Sequence, residues 1–197
     1  MNAYPVTDAV TYVGVDDPNL TLFEGQYPVQ PAGVSYNSYV ITDQKIAVMD
    51  TVDARATDAW LENLDFALDG RTPDYLVISH MEPDHAANIA RLSARYPEMK
   101  LVGNAKTFAM MGQFFGPDAA PADRLVTVGE GDALELGSHR LRFFMAPMVH
   151  WPEVMVTYEE SEKLLFSADA FGRFAYSRSL LLTRRLILEV LLLEKVS

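Results

Sequence analysis

Apolar positions along this chain recur in two rhythms that divide it into strands and helices. Early on, β-branched and aromatic residues come in short runs, Val10 to Val15, Leu20 to Phe23, Ser35 to Thr42 and Lys45 to Met49, set between Gly, Pro and Asp breakers. Each run predicts a strand. Tyr36 to Ile41 and Ile46 to Asp50, parted by Asp43-Gln44, predict a hairpin. The period then changes. Arg55 to Leu68 places Trp60, Leu61, Leu64 and Leu68 on one face and predicts a helix. Asp74 to Ser79 is a short apolar run that predicts a buried strand, and Ala86 to Tyr96, with Ile89, Leu92 and Tyr96 at helical spacing, predicts the helix after it. A strand near Leu101 and Val102 and a helix from Ala105 to Phe115 follow. Further short strands are predicted at Leu125 to Val128, Leu141 to Met145, Val154 to Tyr158 and Leu164 to Ser167.

Strands thus fall into two groups with helices among them, an order that two packed sheets flanked by helices would satisfy. The stretch from Leu180 to Val196 differs: it is leucine-rich but broken by Arg184-Arg185, Glu189 and Glu194-Lys195. It is too interrupted for a membrane span. As a helix it would be apolar around most of its circumference, which requires burial or a partner.

Length and composition narrow the picture. With 197 residues, 49% of them hydrophobic and 22% charged, the chain can bury one ordinary globular core. Its 27 acidic against 16 basic residues give a net charge of −11 and no basic stretch stands out, which argues against nucleic-acid or anionic-membrane partners. Met1-Asn2-Ala3-Tyr4-Pro5 lacks the basic and apolar regions of a signal peptide, so a cytoplasmic location is expected. Without cysteine, any metal must be held by His, Asp and Glu.

Such a metal site is concentrated in His80-Met81-Glu82-Pro83-Asp84-His85. Two imidazoles and two carboxylates stand where a strand ends and a helix begins, the usual place for a ligand in a layered α/β domain. A blander reading makes Asp84 the N-cap of the helix; a carboxylate has two oxygens, so capping and ligation do not compete. Two later segments add donors at predicted strand ends: His150 in Pro147-Met148-Val149-His150-Trp151-Pro152, and Asp169 in Phe166-Ser167-Ala168-Asp169-Ala170-Phe171-Gly172. Alone, each reads as an ordinary loop histidine or turn acid. Beside the first cluster, all can converge on one rim of the sheets and hold two ions.

The order H-x-E-x-D-H, His-Trp-Pro, Ser-Ala-Asp-Ala-Phe-Gly resembles the diiron domain of flavodiiron proteins, the A-type flavoproteins. Gly33 to Ile41 and Met49-Asp50-Thr51-Val52 are similar to that family too, and the likeness runs from Gly33 to Phe174. It implies a metallo-β-lactamase-like αββα sandwich of the α/β class with metals at one sheet edge. Hydrolases of that fold carry histidine where Glu82 stands and usually bind zinc; an anionic oxygen ligand suits iron. The resemblance implies His80, Glu82 and His150 on one iron, Asp84 on the other and Asp169 bridging them. His85 occupies a position that in the family either ligates or turns away. Trp151 would wall the pocket near the flavin, or serve simply as a core aromatic.

The implied chemistry is reduction of O2 to water or of NO to N2O. Electrons would come from FMN on a flavodoxin-like domain or from a flavodoxin- or rubredoxin-type donor, the flavin being supplied across a head-to-tail homodimer. The family pattern also calls for a histidine well beyond Asp169, whereas this chain has only His80, His85, His139 and His150. The expectation is therefore a C-terminally truncated or frame-disrupted member: residues 1–175 as a partial diiron domain, 176–197 as an atypical tail, and no flavodoxin-like domain or FMN site of its own. A non-catalytic diiron O2 sensor and a dizinc hydrolase are the alternative readings.

Overall fold

A computed structural model describes residues 3–116 and 119–171. The leucine-rich stretch, and the expected tail from 176 onward, lie outside the described residues. The N-terminal strands are β1 (Tyr4–Pro5), β2 (Val10–Tyr12), β3 (Val15–Asp17), β4 (Leu22–Phe23), β5 (Tyr27–Pro28), β6 (Val34–Tyr36), β7 (Tyr39–Thr42) and β8 (Ile46–Met49). Helix α1 (Thr57–Leu68), β9 (Tyr75–Val77), α2 (Pro83–Ala86), α3 (Ile89–Arg95), β10 (Lys100–Gly103) and α4 (Ala105–Phe115) follow in alternation. The last described strands are β11 (Leu125–Thr127), β12 (Ala133–Glu135), β13 (Arg140–Met145), β14 (Met155–Glu159) and β15 (Leu164–Phe166).

Seven strands form one sheet in the order β1-β2-β7-β8-β9-β10-β11, and four form a second in the order β12-β13-β14-β15. The hairpin β7–β8 pairs antiparallel, while β8, β9, β10 and β11 run parallel to one another. Alternation along β8 explains why it is buried on both faces. Ile46 and Val48 point toward Trp60 and Leu64 of α1 and Ile89 and Leu92 of α3, in one core cluster. Ala47 and Met49 point the other way, into a second cluster with Leu141, Phe143, Met155 and Phe166 of the smaller sheet. The two sheets are therefore packed face to face, and among the described residues the helices cover the outer face of the larger one.

Three predicted elements are interrupted, the first being Val10 to Val15, which divides into β2 in the large sheet and β3 paired with β6. Ser35 to Thr42 is not one strand: β6 pairs with β3, and β7 joins the large sheet. The break falls at Asn37-Ser38, where the buried Ser38 hydroxyl accepts from Trp60 Nε1 and donates to the Asp50 carbonyl. The helix expected over Ala86 to Tyr96 splits into α2 and α3 around Asn88, whose side chain donates to the Val52 carbonyl and accepts from Thr57. Those side-chain bonds hold a loop in place of a continuous helix. No helix among the described residues is long and apolar enough to cross a membrane.

Candidate metal centre

Because β8 and β9 are parallel, the segments that follow them, Asp50 and His80 to His85, emerge at the same edge of the large sheet. The smaller sheet delivers its donors to that edge as well. His150 lies in the loop between β13 and β14, and Asp169 follows β15, whose Phe166 pairs with Thr157 near the start of β14. The Met155 amide donates to the Ser79 carbonyl over 3.1 Å and ties the two sheets together beside the site.

All six proposed ligands are brought together. His80, Glu82, His150 and Asp169 each offer one donor atom within 4.8 Å of the others, and so do Asp84, His85 and Asp169. Asp169 is common to both groups. Its Oδ2 lies 3.3 Å from His150 Nε2 and 3.5 Å from His80 Nε2, and its Oδ1 lies 2.9 Å from His85 Nε2. Glu82 Oε2 lies 3.0 Å from His80 Nε2 and 2.8 Å from His150 Nε2. His85 Nε2 is 3.8 Å from Asp84 Oδ2, so this ring is turned toward the centre. Trp151 stands edge-on to His80, ring centroids 5.2 Å apart.

The electrostatics of these residues fit a cation pair. Asp84 lies in a buried setting that pushes its carboxyl up to about 6, and its Oδ1 meets no hydrogen-bond donor. Asp169 is pulled the other way: burial opposes its ionisation, but the His85 bond and the nearby imidazoles hold it well below the usual carboxylate range. Glu82 is likewise lowered, since bonds from His80, Glu24 and His150 outweigh its burial. Burial disfavours a charged His80 or His85, yet the acids around both rings raise their pKa. Among the described residues, no lysine or arginine pairs with Glu82, Asp84 or Asp169. A buried acid with an idle oxygen and no lysine or arginine to pair with is costly unless a metal ion completes the site. Two dications would find three imidazoles and three carboxylates, one of them shared.

Asp84 is not the N-cap of α2. That position belongs to Glu82, with Pro83 as the first helical residue, and Asp84 sits one place further on. Three supporting residues escape sequence reasoning. Glu153 Oε1 lies 2.7 Å from His80 Nδ1, and Asp50 Oδ2 lies 3.2 Å from His85 Nδ1. Glu24, at the tip of the β4–β5 hairpin, hydrogen-bonds Glu82; loss of solvent and the two acids beyond it push Glu24 up to about 7. Asp50 falls inside the Met49 to Val52 segment but reads there as a strand-end acid, and nothing local marks the other two. His139, the fourth histidine, is at the opposite pole, paired with Asp43 in the β7–β8 turn over 2.7 Å.

A family profile described as ODP family β-lactamase matches residues 34–187. The chain is 35% identical over 169 residues to an anaerobic nitric oxide reductase flavorubredoxin of Aliivibrio salmonicida, covering 85% of this chain and 33% of that protein. It is 32% identical over 173 residues to flavo-diiron protein FprA2 of Clostridium acetobutylicum, covering 87% and 42% respectively. Among solved structures, rubredoxin oxygen:oxidoreductase from Desulfovibrio gigas superposes with a TM-score of 0.83 at 30% identity, covering 90% of this chain and 43% of that one. The flavodiiron protein from Giardia intestinalis also gives 0.83, at 27% identity, covering 91% and 42%. The chain thus spans about a third to two-fifths of the length of these curated relatives.

Proposed function

The chain belongs to the ODP family of metallo-β-lactamase-like domains found in flavodiiron proteins, and on that premise we propose that it is a diiron oxidoreductase unit reducing O2 or NO. The observation that carries this reading is the sharing of Asp169 between two adjacent donor groups, one of which contains the carboxylate Glu82. A carboxylate in place of an imidazole adds negative charge and a hard oxygen donor, which favours iron over zinc. Residues 1–175 would form the diiron domain. His80, Glu82 and His150 would hold one iron, Asp84 and His85 the other, with Asp169 between them. A pair of irons so held would supply both electrons that couple two NO to N2O and water, or two of the four that take O2 to water, with FMN from a flavodoxin-like domain or partner subunit supplying the rest.

The chain's own residues explain what surrounds that chemistry. Three carboxylates offset most of the charge of two ferrous ions, leaving a nearly neutral pocket suited to an uncharged diatomic molecule. Trp151, edge-on to the His80 ring, would limit water on that side. The mouth carries exposed apolar side chains, Met148, Val149 and Phe171, a surface suited to a covering flavin domain or a second copy.

Anaerobic reconstitution of the full chain with ferrous iron tests this. Two irons per chain are expected, followed by O2 or NO consumption when a reduced flavodoxin- or rubredoxin-type donor is added. Stoichiometric zinc with thiolesterase turnover, or no consumption above an iron-only blank, rejects the reductase reading.

A further inference from the structure

We propose that two buried carboxylates, Glu153 and Asp50, are separate positioning residues for the two halves of the centre, Glu153 fixing His80 and Asp50 fixing His85. The inference rests on the diiron reading but concerns the ring nitrogens that face away from the metals.

Each histidine is held from behind. His80 is fully buried, and its Nδ1 lies 2.7 Å from Glu153 Oε1, while its Nε2 faces Glu82 and Asp169 at 3.0 and 3.5 Å. The same Glu153 oxygen accepts the Met81 amide over 2.9 Å, so it is aimed by the backbone of the motif it serves. Asn104 anchors the Glu153 carbonyl at 2.6 Å. His85 repeats the arrangement with different parts. Its Nδ1 lies 3.2 Å from Asp50 Oδ2, and its Nε2 faces Asp169 at 2.9 Å. Asp50 Oδ1 accepts the Ser79 amide over 2.6 Å. Asp50 itself is held at φ +53°, with its carbonyl bonded by Ser38.

A proton on Nδ1 shared with a carboxylate leaves the lone pair on Nε2, pointing at the metal position, and increases the basicity of that nitrogen. Glu153 is fully buried, yet its Oε2 meets no donor. Such a carboxylate costs stability, so a purely structural role would be served better by an uncharged residue. The two carboxylates come from different sheets, touch different rings and share no bond. Each therefore acts on its own half.

The test uses the full chain loaded anaerobically with cobalt(II), followed by its visible ligand-field bands and by metal analysis. A second sample, loaded with zinc and carrying 15N-histidine, gives the ring-nitrogen shifts. Wild type should take two ions, with His80 and His85 both ligating through Nε2 and protonated at Nδ1. Glu153→Gln should weaken the ion at His80 by roughly 10- to 100-fold and spare the other; Asp50→Asn should do the reverse. Both variants keep an acceptor for Nδ1–H, and circular dichroism checks that they fold. If one fails to fold, the wild-type shifts still decide: ligation through Nδ1 of either ring overturns the inference. Two-ion uptake by wild type, with each variant weakening both ions equally or neither, also overturns it while leaving the diiron reading intact. No metal uptake by wild type overturns both.

Discussion

At the scale of single residues, the centre is defined by which atom each side chain presents. On the proposed reading, Glu82 is the residue that selects the metal. Restoring histidine with Glu82→His removes one negative charge and one hard donor, and should move relative affinity from iron toward zinc by about tenfold, about 1.4 kcal/mol. Competition between the two metals under anaerobic conditions, read by metal analysis, measures the shift; an unchanged ratio would show that Glu82 does not ligate. This part of the site was legible because His80, Glu82, Asp84 and His85 fall within six residues of a strand-to-helix turn and are visible as one motif. His150 and Asp169 were legible through their place at strand ends. Glu153 and Glu24 were not. A glutamate after Trp151-Pro152 reads as a loop acid, and only folding brings its oxygen to His80, 73 residues earlier.

At the scale of elements, two junctions hold the layers in register. Asn104 caps α4, its Oδ1 accepting the Lys106 and Thr107 amides, each at 3.0 Å, while its Nδ2 donates to the Glu153 carbonyl. Asn104→Ser keeps a capping oxygen and loses the donor without setting a second acceptor against the Glu153 carbonyl, so it should cost less than Asn104→Ala, which loses both and about 2 kcal/mol. Urea denaturation separates the two; wild-type stability in the variant that keeps the cap would show that the Glu153 anchor contributes nothing. The second junction is at the far pole, where His139 joins the β7–β8 turn to the smaller sheet through Asp43 at 2.7 Å, with Glu162 at 3.7 Å from its other nitrogen. Burial disfavours the charged ring, but Asp43, Glu159 and Glu162 outweigh it and raise the pKa. The folded value lies above the unfolded one, so the stabilisation is complete below pH about 6.5 and disappears as pH rises through the folded value. His139→Asn keeps a donor for Asp43 but no charge. It should be less stable than wild type by about 1 kcal/mol at pH 5.5, with the difference fading by pH 9. Thermal melts at both values check the sign. Helices and inner strands were predicted well because their apolar spacing is strong. Strand β12 was missed because it is only three residues long, too short for its exposed, half-buried, exposed alternation to stand out in the sequence.

For the molecule as a whole, the two-sheet design concentrates acidity at one edge. Asp50, Glu82, Asp84, Glu153 and Asp169 surround three histidines there, within a chain whose net charge is already −11. Both sheets contribute donors, so any metal bound at that edge stitches them together. Unfolding separates Asp169 and His150 from the His80 motif and destroys the site, which makes binding free energy a contribution to folding stability. At a free metal concentration about a hundredfold above Kd, each ion adds about 2.7 kcal/mol. For a domain of this size that raises the melting temperature by roughly 5 to 10 °C per ion. Stripping the full chain with a chelator should lower the melting temperature accordingly, and ferrous iron should restore it in two saturable steps. Asp169→Asn should remove most of the gain from both steps, whereas Asp84→Asn should remove only one. A melting temperature indifferent to chelation in wild type would mean that the clustered acids are satisfied without a metal. Loss of a single step in Asp169→Asn would mean that this carboxylate serves one ion and does not bridge two.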